Sequence, residues 1–312
     1  MTVPRRRHSL PVLALLGASA ALTAAAGPAS AATVSVERVC TGSAGAAQAC
    51  SRRVHLKAGA GEVNRITFSG PGAFDRVDVQ DATETIADTG DTALKVGEGC
   101  TLVSPEQAVC NANTVKNTDT LSQSVLDLGD MADTAVVQSG LVTITGGAGN
   151  DRLTAGGDTM AELLGQGGRD RLKSTGAATV MAGGAGGDRI TGRKAPGREE
   201  DTIDGGSGRD RIVAGADGGR VNGGTGNDVI EGGDASDILF GDRGDDEISG
   251  GDGDDTIDGG PGADVIDAGA GKDKVATEDN AKLDKVSCGG GRDSVLIDRG
   301  DRFRGCEKVR RG

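Results

Sequence analysis

The chain has 312 residues and a formal charge of −13, with 55 Gly, 4 Phe and neither Trp nor Tyr. Aromatic side chains bury the largest apolar areas, so their scarcity excludes a conventional aromatic-rich core. The acidity argues against nucleic acid as a partner and in favour of cations. So much glycine also carries an entropy cost on ordering, and a bound metal ion is one way to offset it.

Residues 1–31 read as an export signal. Arg5, Arg6 and Arg7 form the basic start, Leu10 to Ala26 the apolar stretch, and Ala29-Ser30-Ala31 the small-residue cleavage site. The apolar run is too short for a membrane anchor and ends in Gly27-Pro28. A secreted, extracellular protein is expected. All six Cys lie downstream, and an even count in an exported chain favours disulfides. Proximity points to Cys40–Cys50, Cys100–Cys110 and Cys288–Cys306, although sequence leaves the pairing open. A zinc site would need C-x-x-C spacing or His partners, and neither is present.

Residues 32–127 form a separate stretch. Val54-His55-Leu56, Arg65-Ile66-Thr67-Phe68 and Arg76-Val77-Asp78-Val79 are short β-type segments. Gly59-Ala60-Gly61 and Ser69-Gly70-Pro71-Gly72 separate them as turns. A small β-rich domain stapled by local disulfides is expected.

Residues 128–276 are repetitive, weakly from Leu128 and clearly from Gly146. The unit has nine residues, G-G-x-G-x-D-x-U-x, where U is a large aliphatic residue. Clear copies are GGAGNDRLT (146–154), GGAGGDRIT (183–191), GGSGRDRIV (205–213) and GGTGNDVIE (223–231). GDRGDDEIS (241–249), GGDGDDTID (250–258) and GGPGADVID (259–267) follow. Leu153, Leu172, Ile190, Ile212, Ile230, Leu239, Ile248, Ile257, Ile266 and Val275 all fall at the eighth position. A random Gly/Asp linker would not hold that frame, so the period signals a solenoid. The first six residues of each unit should make a tight turn and the last three a short strand. Side chains alternate along a strand, which turns the eighth residue inward. One aliphatic residue per unit builds a core only when turns stack.

These repeats resemble the haemolysin-type, or repeats-in-toxin, calcium-binding family over residues 146–276. The resemblance implies an all-β fold, a parallel β-roll with two nonapeptides per turn. It also implies Ca²⁺ bound between loops of one edge by the sixth-position Asp and by backbone carbonyls. The whole chain is similar to secreted bacterial calcium-binding proteins that join a signal peptide and a disulfide-bearing β domain to such repeats.

Sorting sixth positions by alternate repeat gives two edges. The first reads Asp151, Asp170, Asp188, Asp210, Asp228, Asp246, Asp264. The second reads Ala161, Thr179, Asp201, Gly219, Asp237, Asp255, Asp273. A calcium ladder is expected along all of the first edge. On the second it is expected only from about Asp237 onward, with Asp201 an isolated candidate. Extra residues at Ala155 and around 192–195 should fall outside the first edge's loops. Asp217 lies off frame and is not expected to ligate. Charge follows the same division: residues 146–222 hold 11 acids and 11 bases, residues 223–276 hold 15 acids and 3 bases. Crowded carboxylates repel unless counter-ions intervene, and Ca²⁺ accepts roughly six to eight such oxygens. Asp258 and Asp267 belong to the solvated face.

Residues 277–312 read as a C-terminal cap. The pattern breaks at Thr277–Ser287, one repeat-like copy follows (CGGGRDSVL, 288–296), and Cys306 closes a basic stretch. Asp293 is an open candidate ligand. No enzyme is expected: His55 is the one His beyond the signal, and neither G-x-S-x-G nor H-E-x-x-H occurs. The rival readings are a calcium-rigidified adhesin or surface-matrix protein, whose partner would be cell-wall or matrix polysaccharide, and a carboxylate-only polysaccharide-acting enzyme. Sugar-acting clefts recruit aromatics, which weighs against the last.

Overall fold

The computed structural model describes residues 33–41, 49–57, 64–69, 76–81, 95–96, 100–104, 107–110, 120–121, 124–176, 179–193, 201–277 and 282–312, and of the strands before Ser124 the backbone alone. The export signal lies outside the described residues. The chain is an all-β parallel solenoid of about nine turns, with no helix among the described residues.

The repeat explains the architecture residue by residue. In Arg211–Val213 the seventh residue is exposed, the eighth buried and the ninth half-buried, and Arg189–Thr191 shows the same pattern. Eighth residues of alternate repeats then stack in parallel register. One face carries Ala135, Leu153, Leu172, Ile190, Ile212, Ile230, Ile248, Ile266 and Val286. The opposite face carries Leu126, Ile144, Leu163, Met181, Ile203, Val221, Leu239, Ile257, Val275 and Val295. The two rows meet as one continuous apolar cluster, one side chain thick per strand. In the regular part, register partners are one pair of nonapeptides apart, as in Ile230 and Ile248.

The strands are longer than three residues on the second face. Thr179–Ala185, Asp201–Ser207 and Gly219–Thr225 each run on into the following loop. Gly184 pairs with Gly206 there, both at positive φ, so the backbone rounds the corner while its ladder continues. The turn proper shrinks to about the fourth to sixth positions.

Both irregular spacings are absorbed away from the first edge's loops. Val137 faces Ala155 but Ser139 faces Asp158, which places a bulge at Gly156–Gly157, just past Ala155. The second falls between Gly192 and Asp201, because Thr191 still pairs with Val213.

Both ends of the stack are covered. The antiparallel pair Thr33–Thr41 and Ala49–Lys57 sets His55–Lys57 beside Val125–Asp127. Arg65–Phe68 lies parallel to Thr134–Val137. The early strands therefore continue both faces and occupy the first turn's hydrogen-bonding edge. The register sets Cys40 opposite Cys50 and Cys100 opposite Cys110, while their side chains lie outside the described part. At the other end stacking continues through the interruption: Val286 sits under Ile266, and Lys308–Arg311 pairs with Ser294–Ile297. The expected Cys288–Cys306 disulfide is present, with Cα atoms 5.2 Å apart.

Candidate metal centre

Each sixth-position Asp sits where the turn re-enters a strand, and stacking aligns these residues turn upon turn. On the first edge they make a continuous hydrogen-bonded ladder. The Asp151 amide donates to Asp170 Oδ1 at 2.8 Å, and Asp170 to Asp188 at 2.8 Å. Asp188, Asp210, Asp228 and Asp246 donate in turn to Asp210, Asp228, Asp246 and Asp264, all at 2.7–2.8 Å. All seven predicted residues are in one file and at most 3% exposed.

The file is longer than the motif shows. The Asp133 amide donates to Asp151 Oδ1, Asp264 to Asp284 and Asp284 to Asp301. Sequence reasoning missed Asp133, Asp284 and Asp301 because their loops lack the glycines. A weaker signal was available: in Asp284-Lys285-Val286 and Asp301-Arg302-Phe303 the last part of the unit survives.

On the second edge, Asp237 donates to Asp255 Oδ1, Asp255 to Asp273 and Asp273 to Asp293, all at 2.8–2.9 Å. The Asp293 amide then donates to Glu307 Oε2 at 2.8 Å. Asp293, left open by sequence, is fully buried in this file.

Asp201 stands apart. Its Oδ1 accepts from the Thr179 amide and its Oδ2 from the Arg193 amide, both at 2.9 Å. The Arg193 guanidinium reaches the Gly176 carbonyl at 3.0 Å and forms an ion pair with Asp217. Where the second edge lacks carboxylates at Thr179 and Gly219, a protein cation thus ties neighbouring loops together. Asp217 is out of frame, as its position implied, but it is a structural partner of Arg193.

Whether this arrangement suits Ca²⁺ turns on the second carboxylate oxygen. Oδ2 of Asp151, Asp170, Asp188, Asp210, Asp228, Asp246, Asp255, Asp273 and Asp293 is buried with no hydrogen-bond partner. Leaving such an anionic acceptor unsatisfied costs several kcal/mol, of order 1–3 or more. In the loops of Asp151, Asp170, Asp188, Asp210, Asp228, Asp246 and Asp255 the oxygen points at the first glycine of its own loop, beside a carbonyl of the next turn, whereas Ala268 and Cys288 hold that position before Asp273 and Asp293. A Cβ added to Gly223 would lie 2.9 Å from Asp228 Oδ2 and 2.7 Å from the Gly241 carbonyl oxygen. At these seven loops one carboxylate oxygen and one carbonyl oxygen per turn therefore converge on space that a Cβ at the first position would crowd. No point among the described residues gathers three or more His, Cys, Asp or Glu side chains. The donor set is instead one hard carboxylate per turn plus carbonyls, chemistry that fits Ca²⁺ and not Zn²⁺.

Electrostatics agree. Burial, opposed by the amide hydrogen bond and reinforced by neighbouring carboxylates, pushes Asp210 and Asp246 up to about 7. The same causes raise Asp170 and Asp273 to about 6. Burial also raises Asp151, Asp188, Asp228 and Asp255. A carboxyl group raised in the fold stabilises it when protonated, and that contribution is lost as pH climbs through the folded value. Metal-free protein should accordingly lose thermal stability between about pH 4 and pH 7. With Ca²⁺ present the trend should reverse, because binding requires deprotonated ligands. Parallel melting curves across that range, with Ca²⁺ and with chelator, check the crossing.

The fold and its two carboxylate files define a class, the calcium-binding β-roll. Four segments, residues 128–159, 197–221, 215–248 and 240–275, match the family model of the RTX calcium-binding nonapeptide repeat. The chain carries RTX repeats, in agreement with the resemblance read from its motifs. Comparison with curated proteins gives no match. No helix among the described residues is long and apolar enough to cross a membrane.

Proposed function

We propose that this is an extracellular, non-enzymatic calcium-binding β-roll whose folding Ca²⁺ completes. Its ligands would be the first-edge file from Asp151 to Asp264 and the second-edge file Asp237, Asp255 and Asp273. The carrying observation is the row of buried Oδ2 atoms without hydrogen-bond partners, facing carbonyls of the next turn. A divalent cation supplies the missing partner and cancels the repulsion along each file. The geometry adds Asp293 to the second file. It gives Asp201 to Arg193, so Asp201 contributes least.

Calorimetric titration with Ca²⁺ tests the reading. Asp246→Asn keeps shape and hydrogen bonding while removing charge, and it should weaken calcium binding about tenfold or more. Asp267→Asn, exposed on the sheet face, should change nothing measurable. Asp217→Asn is a poor control, since it breaks the Arg193 pair. Equal effects of Asp246→Asn and Asp267→Asn would refute the assignment.

A further inference from the structure

The outer surface of the first face carries a ladder of opposite charge. The seventh-position residues Arg152, Arg171, Arg189 and Arg211 stand in direct parallel register. Strands repeat at about 4.8 Å, so four guanidinium groups follow in single file over about 14 Å. All four are exposed. Arg169 and Arg209, two residues earlier and separated by the rung of Gly187, border with them a groove of about 500 Å³. Its floor is Asp151, Asp170 and Asp188, whose carboxylates are buried beneath. Only the last rung has an acidic partner: Arg211 pairs with Glu231. Arg152, Arg171 and Arg189 make no ion pair among the described residues. Beyond Arg211 the row changes to Val229, Glu247 and Val265.

Like charges directly opposite on neighbouring strands are destabilising. Three unpaired arginines in register therefore call for an anion from outside, and one that repeats along the roll axis. We infer that this groove binds a linear acidic polysaccharide, its carboxylate or sulfate groups spaced along the arginine file. The guanidinium fork receives either group bidentately. One sugar unit of an extended glycan advances by a distance close to the strand spacing of about 4.8 Å. The file is narrow and flanked by Thr154, Lys173, Thr191 and a half-buried Val213, which leaves little apolar surface to enter a lipid layer. Single-stranded nucleic acid would need aromatic platforms for its bases, and the chain has no Trp or Tyr. This inference goes beyond calcium binding, since Arg152, Arg171, Arg189 and Arg211 open the strands that follow the carboxylate loops.

The test is affinity electrophoresis of the full exported chain, in Ca²⁺, through gels containing dextran sulfate, carboxymethyl-dextran or neutral dextran. Retardation by one or both charged polymers and not by dextran is expected, and the two arms identify the preferred anion. The triple variant R152Q/R171Q/R189Q should lose about tenfold or more in affinity. K274Q/K308Q/R310Q removes the same charge from the opposite face and should lose less than about twofold. No retardation by either polyanion, or equal loss in both triple variants, overturns the inference. Tighter Arg-dependent binding to single-stranded DNA or phosphatidylserine vesicles also overturns it. The calcium titration of the arginine variant should match the parent's, which separates failure here from failure of the calcium reading.

Discussion

Chelation of calcium should dismantle the roll, beginning between residues 223 and 276. That segment holds 15 acids and 3 bases, and both carboxylate files run through it. Neighbouring rungs lie about one strand spacing apart, where two ionised carboxylates repel by about 3 kcal/mol at an effective dielectric near 20. The apolar side offers little against this, because each nonapeptide contributes one large core residue, such as Ile248, Ile257 or Ile266. Full burial of such a side chain is worth only about 1.5–3 kcal/mol. Residues 146–222 should hold out longer, for three reasons. Their charges balance, with 11 acids and 11 bases. Arg193 already bridges the loops at Asp217 and Gly176. The early strands cover their free end. Hydrogen exchange by mass spectrometry checks the order, with fast exchange expected first in 223–276 and recovery when Ca²⁺ returns. An unchanged exchange pattern and circular dichroism spectrum in chelator would remove calcium from the folding mechanism.

The second large effect is expected from one methyl group. Gly226 occupies the fourth loop position at φ 141°, a conformation that L side chains rarely adopt. A Cβ there would also overlap the Gly208 carbonyl oxygen of the preceding turn. Backbone strain and overpacking are separate costs, so Gly226→Ala should destabilise the calcium-bound protein by about 3–5 kcal/mol. Gly290 provides the contrast, since a Cβ added there meets nothing within 4 Å. Gly290→Ala should stay within about 0.5 kcal/mol. Urea denaturation of both variants in excess Ca²⁺ measures the difference. Similar stabilities would mean that the turns are not stacked as closely as described.

Much of this protein was legible because its chemistry is local. The nine-residue period names the inward residue of each strand, and Ile212, Ile230 and Ile248 stack as that period requires. Counting by alternate repeats places Asp151 through Asp264 in one file, since a fixed period fixes the register. Where the period failed, only the folded chain was informative. Asp284 and Asp301 enter the first file although their loops have lost the glycines. No local pattern announces that Arg193 would reach Asp217, 24 residues on, and supply the positive charge proposed to come from Ca²⁺ elsewhere. The same holds for Arg152, Arg171 and Arg189, which read singly as solvated charges and become a file only when strands 18 or 19 residues apart are laid side by side. By itself the sequence determined the repeat, the core row and the acidic edge, because each follows from the chemistry of nine consecutive residues. The tertiary structure decided that the carboxylates are buried, which of their oxygens lacks a partner, and where cations gather, because those depend on what the next turn brings against them.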